Sequence, residues 1–313
     1  MPGVPPTRFA YLGPVGTFAE AALRRVPAAS TGILIPAPNV VAAIDAVRDG
    51  DADAAVVPLE NSVEGSVAST VDALADGDPL TIVREILLPV AFVLAVRPGT
   101  AAEAIATVAT HPHAEAQCRK WLAATLPAAS VALVASTAAA AESVARGEHD
   151  AAVCSALAAE HNRLRPLWTD IADNTGAITR FVLLARPGTP SQPTGNDRTS
   201  VVAFIRANST GALLEVLTEF ATRGVNLTRI ESRPTKRLLG QYCFCLDCDG
   251  HVAEQRVGDA LAALRRVCAD VRFLGSYPRA DEQESPAPAP GRADVDFTDA
   301  AAWLARVRAD GSG

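Results

Sequence analysis

From Thr7 to Arg186, short apolar runs alternate with stretches whose apolar residues recur at helical spacing. "RFAYL" (Arg8–Leu12), "AAVVPL" (Ala54–Leu59), "TVATH" (Thr107–His111), "VALVA" (Val131–Ala135) and "AAVCS" (Ala151–Ser155) read as strands. "VVAAIDAVRDG" (Val40–Gly50) and "AEAQCRKWLAAT" (Ala114–Thr125) read as helices between them, because their apolar residues fall on one face at a period near 3.6. Such alternation specifies an α/β fold with mainly parallel sheets and ligands at the carboxyl ends of strands. "ILLPVAFVLAV" (Ile86–Val96) reads as the chain crossing from one sheet to another, with Pro89 at the crossing.

A shared layout points to two similar lobes. "VRDGDADAAVVPLE" (Val47–Glu60) and "VARGEHDAAVCSALAAE" (Val144–Glu160) each run from a helix end through Gly-x-x-Asp-Ala-Ala-Val to a polar turn. Downstream, "PGTPSQPTGNDR" has the composition of a linker. Thr199 to Tyr277 then reads as a βαββαβ unit. Its first helix is capped at Ser209 or Thr210 and stopped by Gly224. The tail containing "ESPAPAPGRADVD" is expected to be disordered. Its end, "FTDAAAWLARVRAD", forms either a short docking helix or no element of consequence.

Composition narrows the function classes. A chain of 313 residues, 49% hydrophobic, is long enough for two or more domains with a sizeable core. A net charge of -7 excludes non-specific nucleic-acid binding, which needs a basic surface. The longest apolar run falls well short of the roughly 20 residues that cross a bilayer. "MPGVPPTRF" lacks the basic start and apolar core of a signal peptide. These features lead us to expect a cytoplasmic protein with reduced cysteines. Cys243, Cys245 and Cys248 lack a second ligand pair at metal-binding spacing, and the first two lie in an alternating strand as small hydrophobes.

Four polar turns fall where strands end. In "YLGPVGTFAEAAL", Gly13, Gly16 and Thr17 lead into a helix whose free N–H groups could cradle an anion; an ordinary strand–helix turn explains them too. The stretch lacks the Lys of a Walker loop. In "VPLENSVEGSVAST", the strand delivers Glu60, Asn61 and Ser62, and capping by Ser62 or Ser66 accounts for only one of these polar groups. In "THPHAEAQC", His111 and His113 flank a proline and are expected to point apart, against a metal pair, while Gln117 lies one turn into the helix. In "NTGAITRFVLLAR", Thr179 and Arg180 enter an apolar strand. Arg180 either grips a substrate carboxylate or pairs with Asp173 across the turn.

"GPVGTFAEAAL", "VPLENSVEGSV", "ATHPHAEAQCRKWL", "AAVCSALAAE" and "TGAITRFVLLA", in that order along nearly all of residues 7–186, together resemble prephenate dehydratases. "GALLEVL" and "ESRP" resemble the ACT regulatory domain of phenylalanine-responsive members. The resemblance implies a two-lobed, periplasmic-binding-protein-like (type II) catalytic domain over residues 1–187, with crossings near 86–96 and 168–178. It further implies an ACT domain at 199–277, while composition gives a linker at 188–198 and a flexible tail at 278–313, which the resemblance does not cover. The implied reaction turns prephenate into phenylpyruvate with no metal or redox cofactor, since aromatisation of the ring supplies the driving force.

By the same resemblance Thr179 and Arg180 are catalytic. Thr17, Glu60, Asn61, Ser62, Gln117, Ser155 and Asn174 surround the substrate, and Phe181 packs under the site. Gly211, Ala212 and Leu213 with Glu231, Ser232, Arg233 and Pro234 bind L-phenylalanine between the ACT domains of a homodimer or homotetramer. Ala177 stands where many members carry Asn, and Asn174 is the nearest replacement. Arogenate dehydratase, or an amino-acid-binding regulator without catalysis, remain the alternative readings.

Overall fold

The computed structural model describes residues 5–206, 209–236, 240–281, 283 and 288–311. The first of two compact units takes Met1–Thr70 and Ile86–Leu184; the second takes Val71–Glu85 and Ala185–Gly313.

In the first unit the chain runs β1 (Arg8–Leu12), α1 (Phe18–Leu23), β2 (Ile33–Ala37), α2 (Val40–Arg48), β3 (Ala54–Asn61), β4 (Gly65–Ser66) and into α3 (Ala68–Ala75). After β5 (Thr81–Pro89) come β6 (Val93–Val96), β7 (Thr107–Thr110), α4 (Pro112–Thr125), β8 (Ser130–Leu133), α5 (Thr137–Ala145), β9 (Ala151–Cys154), α6 (Ala156–His161), β10 (Arg165–Trp168) and β11 (Ile178–Ala185). One sheet has the order β2-β1-β3-β11-β5 with β4 beside β3, and the other β10-β6-β9-β7-β8. The strands expected from the apolar runs are all present. Edge strand β2 was not anticipated, although its ILIPA is an apolar run; it is short, carries Pro36 and is mostly only partly buried.

The repeated sequence layout is a repeated topology. β1 lies between parallel partners β2 and β3, and β7 lies between parallel partners β8 and β9. The aspartate of each repeat does the same work. Asp53 accepts the Arg8 N–H at 2.8 Å, and Asp150 accepts the Ala106 and Thr107 N–H groups at 3.0 and 2.9 Å. Each carboxylate therefore satisfies backbone donors at the start of the strand flanked by two parallel partners, β1 in one sheet and β7 in the other. β5 ends in the first sheet at Pro89 and β6 opens in the second at Val93; the chain returns between β10 and β11.

The second unit contains β12 (Asp197–Phe204), α7 (Ala212–Ala221), β13 (Leu227–Pro234), β14 (Tyr242–Asp249), α8 (Gln255–Val267), β15 (Asp270–Pro278) and α9 (Asp294–Asp310). The order βαββαβ builds an antiparallel sheet, β13-β14-β12-β15. One face, carrying Val201, Ala203, Phe244 and Leu246, packs on Val216, Phe220, Val257 and Leu264 of the two helices.

Residues 278–313, expected as a flexible tail, include α9, and Asp294 at its start accepts the Gln255 N–H at 2.9 Å. The expected disorder in "ESPAPAPGRADVD" falls partly on 284–287, outside the described residues, as do 1–4 at the N-terminus. The segment Val71–Glu85 groups with the second unit, not with the residues before it. Its ties include the ion pairs of Asp72 with Arg233, and of Glu85 with Arg198 at 2.5 Å. Local periodicity does not reveal such distant partners.

Among the described residues no helix is long and apolar enough to cross a membrane.

Candidate active site

β3 and β11 bring two of the polar turns together. Ser62 donates its N–H to the Ile178 carbonyl at 2.9 Å, and its hydroxyl accepts the Ile178 N–H at 3.0 Å. This stitch places Asn61 beside Thr179, where the amide donates through Nδ2 to Thr179 Oγ1 at 2.8 Å. The direction of that bond is fixed from the other end of the amide. Asn61 Oδ1 accepts the N–H groups of Val63 and Glu64 at 2.8 and 3.0 Å, so the NH₂ group must face the threonine. Thr179 Oγ1 is therefore an acceptor toward Asn61, and its own proton is directed elsewhere.

Arg180 is 7% exposed, and Glu60 on β3 faces it at 3.9 Å. The alternative pairing with Asp173 does not form. Asp173 accepts the Lys120 and Trp121 N–H groups, each at 2.9 Å, and donates its own N–H to the Gln117 carbonyl at 2.7 Å. Asp173 thus ties the segment before β11 to α4. Gln117 sits on α4 of the second sheet and is half-buried. Asn174 is exposed, and Ala177 is buried, with its carbonyl accepting the Val90 N–H.

Other expected positions carry structural duties. Phe181 packs in the first sheet's core with Phe9, Tyr11 and Leu23, as expected of a residue beneath the site. Thr17 Oγ1 donates to the Leu12 carbonyl at 2.8 Å and caps α1. Ser155 Oγ donates to the Gly16 carbonyl at 2.8 Å and caps α6 by accepting the Ala158 N–H at 3.0 Å. Both hydroxyls spend their protons on carbonyls, and Ser155 does so across the two sheets.

His111 and His113 do not point apart. Their rings stack at 5.2 Å with an interplanar angle of 11°, because His111 caps α4 and accepts the His113 N–H. His113 Nδ1 meets Glu64 at 3.1 Å, and burial, then His113, hold the His111 imidazole below its ordinary value. No group of three or more His, Cys, Asp or Glu side chains converges on a metal position among the described residues. All six thiols are buried and unpaired, and burial pushes those of Cys118 and Cys154 up to about 12. A thiol nucleophile at neutral pH is excluded there.

One residue escaped the sequence reading. Glu20 is 2% exposed; it accepts the Gly16 N–H at 2.6 Å, pairs with Arg24 at 2.7 Å and meets His161 of α6 at 3.2 Å. Burial works to raise its carboxyl, but the Gly16 N–H, Arg24 and His161 together hold it below its ordinary value. The signal was present: Thr17-Phe-Ala-Glu20 has the capping-box pattern, although the carboxylate takes the Gly16 N–H and not that of Thr17.

In the second unit, Gly211 opens α7 with a φ of +88°, beside a cavity of about 350 Å³ lined in part by Arg206, Ser209, Ala212 and Glu215. β12 and β13 run parallel on either side of β14, so Gly211 and Pro234 lie at the same end of the sheet. Strand alternation divides the "ESRP" residues. Ser232 pairs with Phe244 on the helix face, whereas Glu231 and Arg233 pair with Cys245 and Cys243 on the other.

Consecutive positions at the start of β11 thus carry a proton-bearing hydroxyl and a buried guanidinium, groups able to hydrogen-bond an oxygen-bearing anion. A family profile described as prephenate dehydratase matches residues 9–189. The prephenate dehydratase of Amycolatopsis methanolica is 54% identical over 303 residues, 96% of this chain and 98% of that protein. The crystal structure of prephenate dehydratase in complex with L-Phe from Arthrobacter aurescens superposes with a TM-score of 0.92 at 48% identity, over 96% of this chain and 99% of that one. A solved chain described as GqqA, a novel type of quorum quenching acylase, superposes with a TM-score of 0.79 at 31% identity, over 87% and 98%. This chain belongs to the prephenate dehydratase family.

Proposed function

We propose that the protein converts prephenate to phenylpyruvate, CO2 and water between two lobes arranged like a periplasmic binding protein, with Thr179 and Arg180 as its catalytic pair. The observation that carries this reading is the fixed direction of the Asn61–Thr179 bond. The ring carboxylate leaves as CO2, and its C–C bonding electrons enter the ring. The C4–O bond breaks, and the departing hydroxide takes a proton and leaves as water. A threonine at neutral pH is a weak acid, so Thr179 donates a hydrogen bond to the leaving oxygen while solvent supplies the proton. Arg180 holds a substrate carboxylate, Gln117 faces the substrate from α4, and Glu60 steadies Arg180.

Acyl transfer of the kind named for GqqA needs a base to take the nucleophile's proton. Among the described residues, Thr179 Oγ1 is met by an amide donor and by no histidine, which favours dehydration. Six buried, unpaired thiols suit the cytoplasm.

The βαββαβ unit is an ACT domain that takes L-phenylalanine at Gly211–Leu213 and Ser232, where the α7 N-terminus offers N–H donors to a carboxylate. Ile230, Leu213 and Leu214 leave apolar surface at this edge, 47%, 38% and 67% exposed, for a second copy to cover. Mixing the purified protein with prephenate should produce phenylpyruvate absorbance, with a rate that changes on adding phenylalanine. Faster turnover of arogenate would move the assignment to arogenate dehydratase, and no turnover of either would leave a binding regulator.

A further inference from the structure

On the face of the second unit's sheet away from its helices, Arg233 meets Asp72 of α3 with two parallel bonds, Nε at 2.8 Å and Nη2 at 3.0 Å. Lys236 adds its ammonium at 2.6 Å. Burial of Asp72 works to raise its carboxyl, but these two cations hold it below its ordinary value, so the pair is ionised at neutral pH. Arg272 of β15 donates to the carbonyls of Leu74 and Asp76 at 3.2 and 3.0 Å, just where α3 ends. Two strands of the regulatory sheet therefore grip the second half of a single eight-residue helix.

The beginning of the same helix is bonded to the candidate active site. Thr70 Oγ1 donates to the Pro58 carbonyl at 2.6 Å, and the Val67 N–H to the Leu59 carbonyl at 2.9 Å. β4, immediately before α3, pairs Ser66 with Glu60 and Gly65 with Asn61. The helix thus joins Arg233 to the turn that aims Asn61 at Thr179.

We infer that Arg233 transmits the effector signal and does not contact the effector. A ligand held on the helix face, at Gly211–Leu213 and Ser232, displaces β13. Arg233, projecting from the opposite face of that strand, carries the displacement through Asp72 and α3 to Asn61. This rests on the reading of phenylalanine as effector. A purely structural ion pair predicts lost stability with binding and response still linked; a relay predicts that they separate.

The test uses full-length Asp72→Asn and Asp72→Glu, with phenylalanine binding measured by calorimetry and initial rates measured with and without phenylalanine. Asp72→Asn should bind phenylalanine within about threefold of the parent while its rate response falls at least about fivefold, the lower range of an allosteric coupling. Asp72→Glu should recover part of the response. Arg233→Gln should behave as Asp72→Asn does, and it takes over the test if the latter fails to fold. A variant that responds as the parent does, or that loses binding together with response, overturns the relay. A parent that does not bind phenylalanine overturns the effector reading, and the relay with it.

Discussion

Asn61 and Thr179 come from strands 118 positions apart, and the amide of one donates to the hydroxyl of the other at 2.8 Å. Because two backbone N–H groups hold the amide oxygen, the threonine proton is left for a third party. Thr179→Val keeps the shape of the side chain and removes that proton. Its kcat should fall by about 10²–10⁴-fold, the usual worth of a positioned proton donor, with an unchanged circular dichroism spectrum. Thr179→Ser should keep most of the rate. A valine variant within a few-fold of the parent would remove the hydroxyl from the chemistry.

Asn61→Asp tests the bond's direction. One carboxylate oxygen can still accept the Val63 and Glu64 N–H groups, but the other can only accept, so it draws the Thr179 proton back toward itself. The variant should fold and should lose kcat as severely as Thr179→Val does. Near-parental turnover would show that the amide's donor has no part in aiming the hydroxyl.

Local chemistry was legible in the sequence, and distant pairing was not. The apolar runs located the central strands because a buried strand must be apolar whatever it packs against. Asp53 and Asp150 showed as a repeat because each serves the strand beside its own. Arg233 could not be assigned from "ESRP" alone. Its partner Asp72 lies 161 positions away, and only the register with Cys243 and Phe244 shows that neighbouring residues of the motif face opposite ways. The histidine pair failed for a different reason. Spacing across Pro112 suggested divergence, but a helix cap at His111 turns the chain and stacks the rings. Thr17 and Ser155 look like ligand-binding hydroxyls in the sequence, and only the structure shows which carbonyls take their protons.

Glu20 should set part of the acid limb of stability. Its folded carboxyl lies below the ordinary 4.5, so the folded state favours the anion. The resulting stability is complete above the unfolded value and is lost as pH falls through the lower folded one. Urea midpoints of the parent should therefore drop steeply below about pH 4.5. Glu20→Gln should be less stable at pH 7 by about 1–3 kcal/mol, the loss of hydrogen bonds to charged partners, and should show a flatter acid limb. Parallel pH profiles for the two proteins would mean that Glu20 does not titrate with folding.

Gly16 is the point at which backbone conformation and sheet-to-sheet contact meet. Its φ is +91°, and an added Cβ would lie 3.0 Å from Ala158 Cα on α6, beside the Ser155 hydroxyl that donates to the Gly16 carbonyl. Gly50 supplies the control, with a φ of +81° and no atom within 4 Å of its added Cβ. Gly50→Ala should cost only the left-handed penalty, about 1–2 kcal/mol, and leave kcat/KM unchanged. Gly16→Ala carries the same penalty and also forces α6 away from the Gly13–Thr17 turn. Its urea midpoint should fall further, and kcat/KM should fall with it, because Gln117 lies on α4, between β7 and β8 of the second sheet, and Thr179 on β11 of the first. Equal losses in the two variants would show that this contact does not set the spacing between the sheets.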